Sequence, residues 1–193
     1  LRSIINRCSD DFHVILIDDG SFDKLLEDWN VDLRKVGNIQ KENMRMLGLM
    51  KVLYKYGGIM MEPSFILFKT LKPLYDNILV SGKPSFGEFP NESVDSHIMN
   101  FSPSLKFMGC IKNCPKIYEL GKVIEIIVNQ DNTFSSKLEG QVGNWLYNKA
   151  ELEEINYIDG KFLGTRDSKN KIIDLESLMS STYLDLNTNA YSL

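Results

Sequence analysis

Residues 54–65 read Tyr54-Lys55-Tyr56-Gly57-Gly58-Ile59-Met60-Met61-Glu62-Pro63-Ser64-Phe65, and the fold turns on what this stretch joins. Upstream, from residue 43 to 56, large apolar side chains recur three and four apart (Met46, Met50 and Leu53; Leu47, Met50 and Tyr54). Arg45, Lys51 and Lys55 are left for a wetter side. That spacing predicts a helix packed on more than one face. Gly57 can close it in a left-handed conformation without a Cβ penalty, and Gly58 lets the chain turn directly into the apolar run 59–61. The run predicts a buried strand. Pro63 supplies no ladder donor, so the strand ends there and leaves Glu62 and Ser64 at its carboxyl end, where open α/β sheets bind ligands.

On these residues the chain resembles the sugar-binding region of DXD-type glycosyltransferases with the GT-A fold. That group includes yeast-type initiating mannosyltransferases, clostridial toxin glucosyltransferase domains and capsular polysaccharide synthesis proteins. Its pattern is a helix with Asp-x-x-Arg, then Tyr-Gly-Gly-Ile-Tyr-x-Asp-x-Asp, then an apolar run ending in Lys-Pro-Leu. Tyr56-Gly57-Gly58-Ile59 and Lys72-Pro73-Leu74 match. The acidic positions do not: the helix Asp falls on Met46, the helix Arg on Leu49, and the two aspartates on Glu62 and Ser64. Arg45 lies one turn before the family's Arg. The resemblance covers about residues 10 to 150.

What the resemblance implies is an α/β fold of GT-A (Rossmann-like) type, a mixed twisted sheet flanked by helices, in one domain over residues 1–193. Because this fold opens with a strand that residues 1–9 do not supply, its first strand is expected to be missing, as in a fragment lacking an amino-terminal segment. The implied function is transfer of a sugar from a nucleotide-sugar donor to a glycan or protein acceptor. Gly57, Gly58, Glu62 and Ser64 would lie at the donor diphosphate, with Asp18, Asp19 and Arg45 around the nucleotide. In the family a divalent metal, Mn or Mg, bridges the phosphates. Here the metal pair would be Glu62 and Ser64, and hard cations prefer anionic oxygens, so a hydroxyl in place of a carboxylate weakens the site. Three readings stay open: a transferase with altered metal use, a nucleotide-sugar binder without turnover, and a catalytically inactive scaffold that binds a protein partner. The Asn, Lys and Ile richness of the chain fits a degenerate relative from a large DNA virus.

Composition sets outer bounds. At 193 residues the chain is long enough for one real core. Its net charge of -4 and the absence of a basic block argue against a nucleic-acid partner. Cys8, Cys110 and Cys114 are too few and irregular for a disulfide framework, which suits a reducing, cytoplasmic compartment. No apolar run approaches the roughly 20 residues of a membrane span.

Elsewhere, residues 1–9 predict a helix with Ile4 and Ile5 inward, and 13–17 a buried parallel strand ending at Asp18-Asp19-Gly20-Ser21. That tetrapeptide reads most simply as a turn in which Ser21 caps a helix over 22–29. It also resembles the nucleotide-contacting acid of inverting transferases. Residues 30–40 read as an irregular connector, 77–81 and 86–89 as strands, and 84–103 as a surface excursion whose acids Glu88, Glu92 and Asp95 are candidate bases toward an acceptor. A strand over 100–110 leads to a proline-opened helix from Pro115 to about 129, with Ile117, Leu120, Ile124 and Ile127 inward. A second helix spans about 136–149, a hairpin turns at Asp159-Gly160, a short helix covers 174–179, and the tail from residue 180 is loose. Cys110 and Cys114, even with His97, lack the second pair of a zinc site and read better as small buried apolar residues. His13 and His97 have no partner that sequence identifies.

Overall fold

The computed structural model describes residues 1–90, 101–130, 136–173, 176, 179–181 and 190–192. In chain order come helix α1 (Arg2–Cys8), the helical turn α2 (Phe22–Leu25), a 3₁₀ turn (Leu33–Lys35) and the long helix α3 (Asn38–Tyr56). Strands β1 (Gly58–Met61) and β2 (Phe65–Leu67), helix α4 (Lys72–Ser81), and strands β3 (Ser85–Pro90) and β4 (Phe101–Cys110) follow. Helices α5 (Pro115–Asn129) and α6 (Ser136–Glu151), strand β5 (Asn156–Ile158), the turn α7 (Gly160–Leu163) and strand β6 (Ala190–Ser192) complete it.

The main sheet is open and mixed, in the order β1-β4-β3-β5. β4 pairs antiparallel with both β1 and β3, and β3 pairs parallel with β5. Because side chains alternate along a strand, neighbouring β4 residues enter different cores. Met108 joins Leu47, Met50 and Leu53 of α3, the α5 stripe Ile117, Leu120, Ile124 and Ile127, and Leu138, Val142 and Leu146 of α6. Phe107 joins Ile4 and Cys8 of α1, Phe65 and Leu67 of β2, and Ile158 and Leu163. Helices therefore cover both faces, as the sequence predicts for an α/β protein. The three cysteines are buried and free, and among the described residues no helix is long and apolar enough to cross a membrane.

The junction read first behaves as expected at the glycines. Gly57 closes α3 through its N–H to the Leu53 carbonyl (2.8 Å) and has φ +70°, and Gly58 has φ +101°. A Cβ on Gly57 would stand 2.6 Å from the backbone nitrogen of Lys112, whereas one on Gly58 would meet nothing within 4 Å. β1 is not the buried strand expected, however. It lies at the sheet edge, and its residues are half-buried.

Several other expectations are corrected. Residues 13–17 form no strand and are mostly exposed. Residues 77–81 end helix α4: Pro73 opens it, Ile78 is 1% exposed while Val80 is 89% exposed, and Gly82 closes it in the left-handed conformation. One inward residue per turn there had been masked by an unbroken apolar run. Asp159-Gly160 is no hairpin, because Asp159 Oδ1 accepts from the Lys161 N–H (2.7 Å) and caps α7 while β5 pairs parallel to β3. In α1, Cys8 rather than Ile5 shares the inward face with Ile4. α3 starts at Asn38, inside the expected connector, and α2 stops at Leu25, with Ser21 making no side-chain cap bond. Strands β3 and β4 occupy both ends of the supposed excursion 84–103. Residues 190–192 pair with β2 and are not loose. The expected helix over 174–179, Glu92, Asp95 and His97 fall wholly or partly outside the described residues.

Gly57→Ala should be the costlier of the two glycine replacements, because it adds a backbone clash to a strained φ. A loss of about 2–4 kcal/mol is expected against about 1–2 kcal/mol for Gly58→Ala, checked by urea unfolding of both variants.

Candidate functional site

Beside the unpaired edge of β1 runs a groove of about 1610 Å³. Its walls come from Met46, Leu49 and Val52 of α3, from α6, from residues 57–63, and from the exposed run 13–17. The lining is mainly apolar. Polar groups enter it at Glu42, Asn43, Glu62 and Lys106, among others.

Glu62 stands at the carboxyl end of β1, where its N–H bonds the Lys106 carbonyl of β4 (3.2 Å), and its exposed side chain lines the groove. That cross-strand bond sets Lys106 directly beside Glu62. Asn43 is 4% exposed, lines the same groove and forms no side-chain hydrogen bond among the described residues. Its amide atoms are not among the buried side-chain atoms that lack a partner, so they are open to the groove. Neither residue was singled out from sequence. Asn43 had a signal, being polar one turn before Met46 on an apolar stripe, but Lys106 had none, because its place depends on the β1–β4 register.

Ser64 departs from expectation. It does not line the groove, and its Oγ is buried with no hydrogen-bond partner among the described residues. Glu62 and Ser64 therefore do not present two oxygens to a common point in the groove, and among the described residues no three His, Cys, Asp or Glu side chains gather in one place. The implied pairing of Glu62 with Ser64 around Mn or Mg does not fit this placement of Ser64. Gly57 and Gly58 line the groove through backbone alone.

Asp18, Asp19 and Arg45 are brought near one another but lie outside the groove wall. Asp18 serves its own turn, accepting from Ser21 Oγ (2.5 Å) and the Gly20 N–H (3.0 Å), and these bonds hold its carboxyl below the usual range. Asp19 takes a bidentate bond from Arg45, 2.5 and 2.6 Å, which lowers the Asp19 pKa and raises that of Arg45. The pair ties the turn before α2 to α3. Glu88, a candidate base, is instead occupied: its Oε2 accepts from the Gly160 N–H (2.9 Å) and pairs with Arg166 (2.8 Å).

No family model, curated protein or solved structure matches this chain.

The Asp19–Arg45 pair predicts a specific acid response. With the folded pKa of Asp19 depressed, its contribution is present above the unfolded value of about 3.9 and fades as pH falls through the lower folded value. Asp19→Asn should lose less stability between pH 5 and 2 than the parent, measured by urea unfolding across that range. Both side chains are partly exposed, so a double-mutant cycle with Arg45→Gln should give a coupling of about 1 kcal/mol or less.

Proposed function

We propose that this chain is a glycosyltransferase-like protein that holds a nucleotide-sugar donor at the Glu62 end of the groove and passes the sugar to a glycan or protein acceptor. One observation carries the reading: an exposed carboxylate at the carboxyl end of β1 opens onto a groove large enough for such a donor, with Lys106 beside it and the unpartnered amide of Asn43 in the same lining. The GT-A arrangement belongs to this proposal. It is supported by the order helix, double glycine, strand and acidic turn, and by helices on both faces of a mixed sheet.

In this reading Glu62 accepts hydrogen bonds from ribose or sugar hydroxyls, and Asn43 donates and accepts along the ligand. Lys106 offers positive charge to a diphosphate that Glu62 alone would repel. Asp18, Asp19 and Arg45 satisfy their own turn and ion pair, so they receive no donor contact. Because Glu62 and Ser64 do not fit a metal together, no step is routed through one.

A second reading has its own observation. Met46 and Leu49, which occupy the positions of the family's charged helix residues, line the groove with apolar groups, and the Ser64 hydroxyl is buried. Both features suit a catalytically inactive protein that uses the fold to bind a protein partner.

A thermal melt against UDP, GDP and their sugars, with and without Mn, separates the two. At 100 times its dissociation constant a donor adds about 2.7 kcal/mol, a rise of several degrees in Tm for a domain of this size. The transferase-like reading expects such a rise, diminished by Glu62→Ala, Lys106→Ala and Asn43→Leu. A rise that requires Mn would restore a metal to the site. No rise with any nucleotide would leave the partner-binding reading.

A further inference from the structure

We propose that one face of α6, formed by Gly140, Gly143, Asn144 and Tyr147, is a subsite that takes an uncharged sugar ring of a glycan. From Gly140 the others follow at three, four and seven residues, so the four share one side of the helix, and all four line the groove. The glycines carry the argument. Glycine inside a helix destabilises it relative to alanine, a loss normally offset where a turn, a positive φ or a close contact requires it. Neither Gly140 nor Gly143 has a positive φ, both lie inside the 16-residue helix, and a Cβ on either would meet nothing within 4 Å. Gly48, inside α3, shows the contrast, because a Cβ there would stand 2.7 Å from the Phe22 ring. Packing explains Gly48 and leaves the two α6 glycines unexplained. What they provide is room: an occupant of the groove can approach the α6 main chain closely at both.

A second observation points to an occupant. Asn43 is only 4% exposed, lines the same groove, and its side chain makes no hydrogen bond among the described residues. An amide placed so favours a ligand that both donates and accepts. The α6 wall narrows the chemistry. Every described side chain that α6 gives to the groove is uncharged, unlike the Glu62 and Lys106 end, so this part suits a neutral group. Tyr147 offers a ring that is 39% exposed and Asn144 an exposed amide, and neither side chain makes a hydrogen bond among the described residues. A ring that covers C–H groups, beside an amide that meets hydroxyls, matches a pyranose with its apolar face and hydroxyl rim. A helix face has no free main-chain ladder with which to hold an extended peptide. The inference rests on the transferase-like reading only for the glycan's role as acceptor.

Saturation-transfer NMR with short oligosaccharides of mannose, glucose, galactose and N-acetylglucosamine tests it, with the Tm of every variant measured alongside. At least one of these saccharides should bind, with transfer strongest at the C–H protons of one ring face. Gly143→Leu and Tyr147→Ala should each weaken that saccharide by about tenfold or more. Gly140→Ala and Gly143→Ala should each raise Tm by about 2–4 °C and still weaken binding, an opposition that a role in folding alone does not produce. Failure of every saccharide to bind, or binding unchanged by Gly143→Leu and Tyr147→Ala, overturns the proposal. Binding of a serine- and threonine-bearing peptide that Gly143→Leu abolishes overturns it in favour of a protein acceptor. A change of oligomeric state in the alanine variants overturns it in favour of a second copy packed on α6. Saccharide binding at α6 without any nucleotide-dependent rise in Tm sustains the subsite and ends the transferase-like reading, whereas a nucleotide-dependent rise without saccharide binding does the reverse.

Discussion

Among the described glycines, the closest approach to another stretch of backbone is that of Gly57 to Lys112, where no side-chain carbon fits. Around it the carboxyl end of α3 is satisfied from outside the helix. The Leu53 carbonyl accepts from Gly57 and faces the Cys110 thiol at 3.6 Å, and the Tyr54 carbonyl accepts from the N–H of Asn113, itself at φ +58°. Helix ends normally leave such carbonyls to water or caps. Here they fasten α3, the start of β1 and the turn between β4 and α5 into one knot. The height of Glu62 on the sheet, and its pairing with Lys106, follow from that anchoring, because β1 has only three residues between Gly58 and Glu62 in which to drift.

How far this was legible depends on whether the deciding contact was local. Helices α5 and α6 were readable because their stripes carry one apolar face each and little else: Ile117, Leu120, Ile124 and Ile127 are all buried as spaced. In residues 77–81 four consecutive apolar or amide residues fit a strand equally well, and only packing of Ile78 against the sheet selects the helix. Asp159-Gly160 carries the same two residue types in a hairpin turn and in a helix cap, and the choice was made by the distant pairing of β5 with β3. Composition and spacing supported the α/β class. They could not supply sheet order, which rests on contacts far apart in sequence.

The candidate site divides along the same line. Glu62 was visible because it sits at the end of a strand bounded by a glycine pair and a proline, all within seven residues of one another. Asp19 and Arg45, both expected around the nucleotide, are joined by a bidentate bond that fastens the turn before α2 to α3, a contact that a separation of 26 residues hides from the sequence. Ser64 fails differently: side chains alternate across a chain that leaves a strand, yet the turn at Pro63 carries Ser64 inward beside the buried Phe65. Lys106 is legible only once register is known.

These placements bear on what the groove can do. Along β1 it is bordered by Met46, Leu49 and Val52, an apolar lining from which a charged ligand would gain little. Among the described residues β1 has one strand neighbour, β4, and no charged side chain of its own, and with the exposed Ile15 and Leu16 in the same groove this is the kind of edge that natural sheets cover or charge. Charged and polar groups instead collect at Glu62, Lys106 and Asn43. The apolar length of the groove lowers the dielectric around that end, and each polar contact made there is stronger for it.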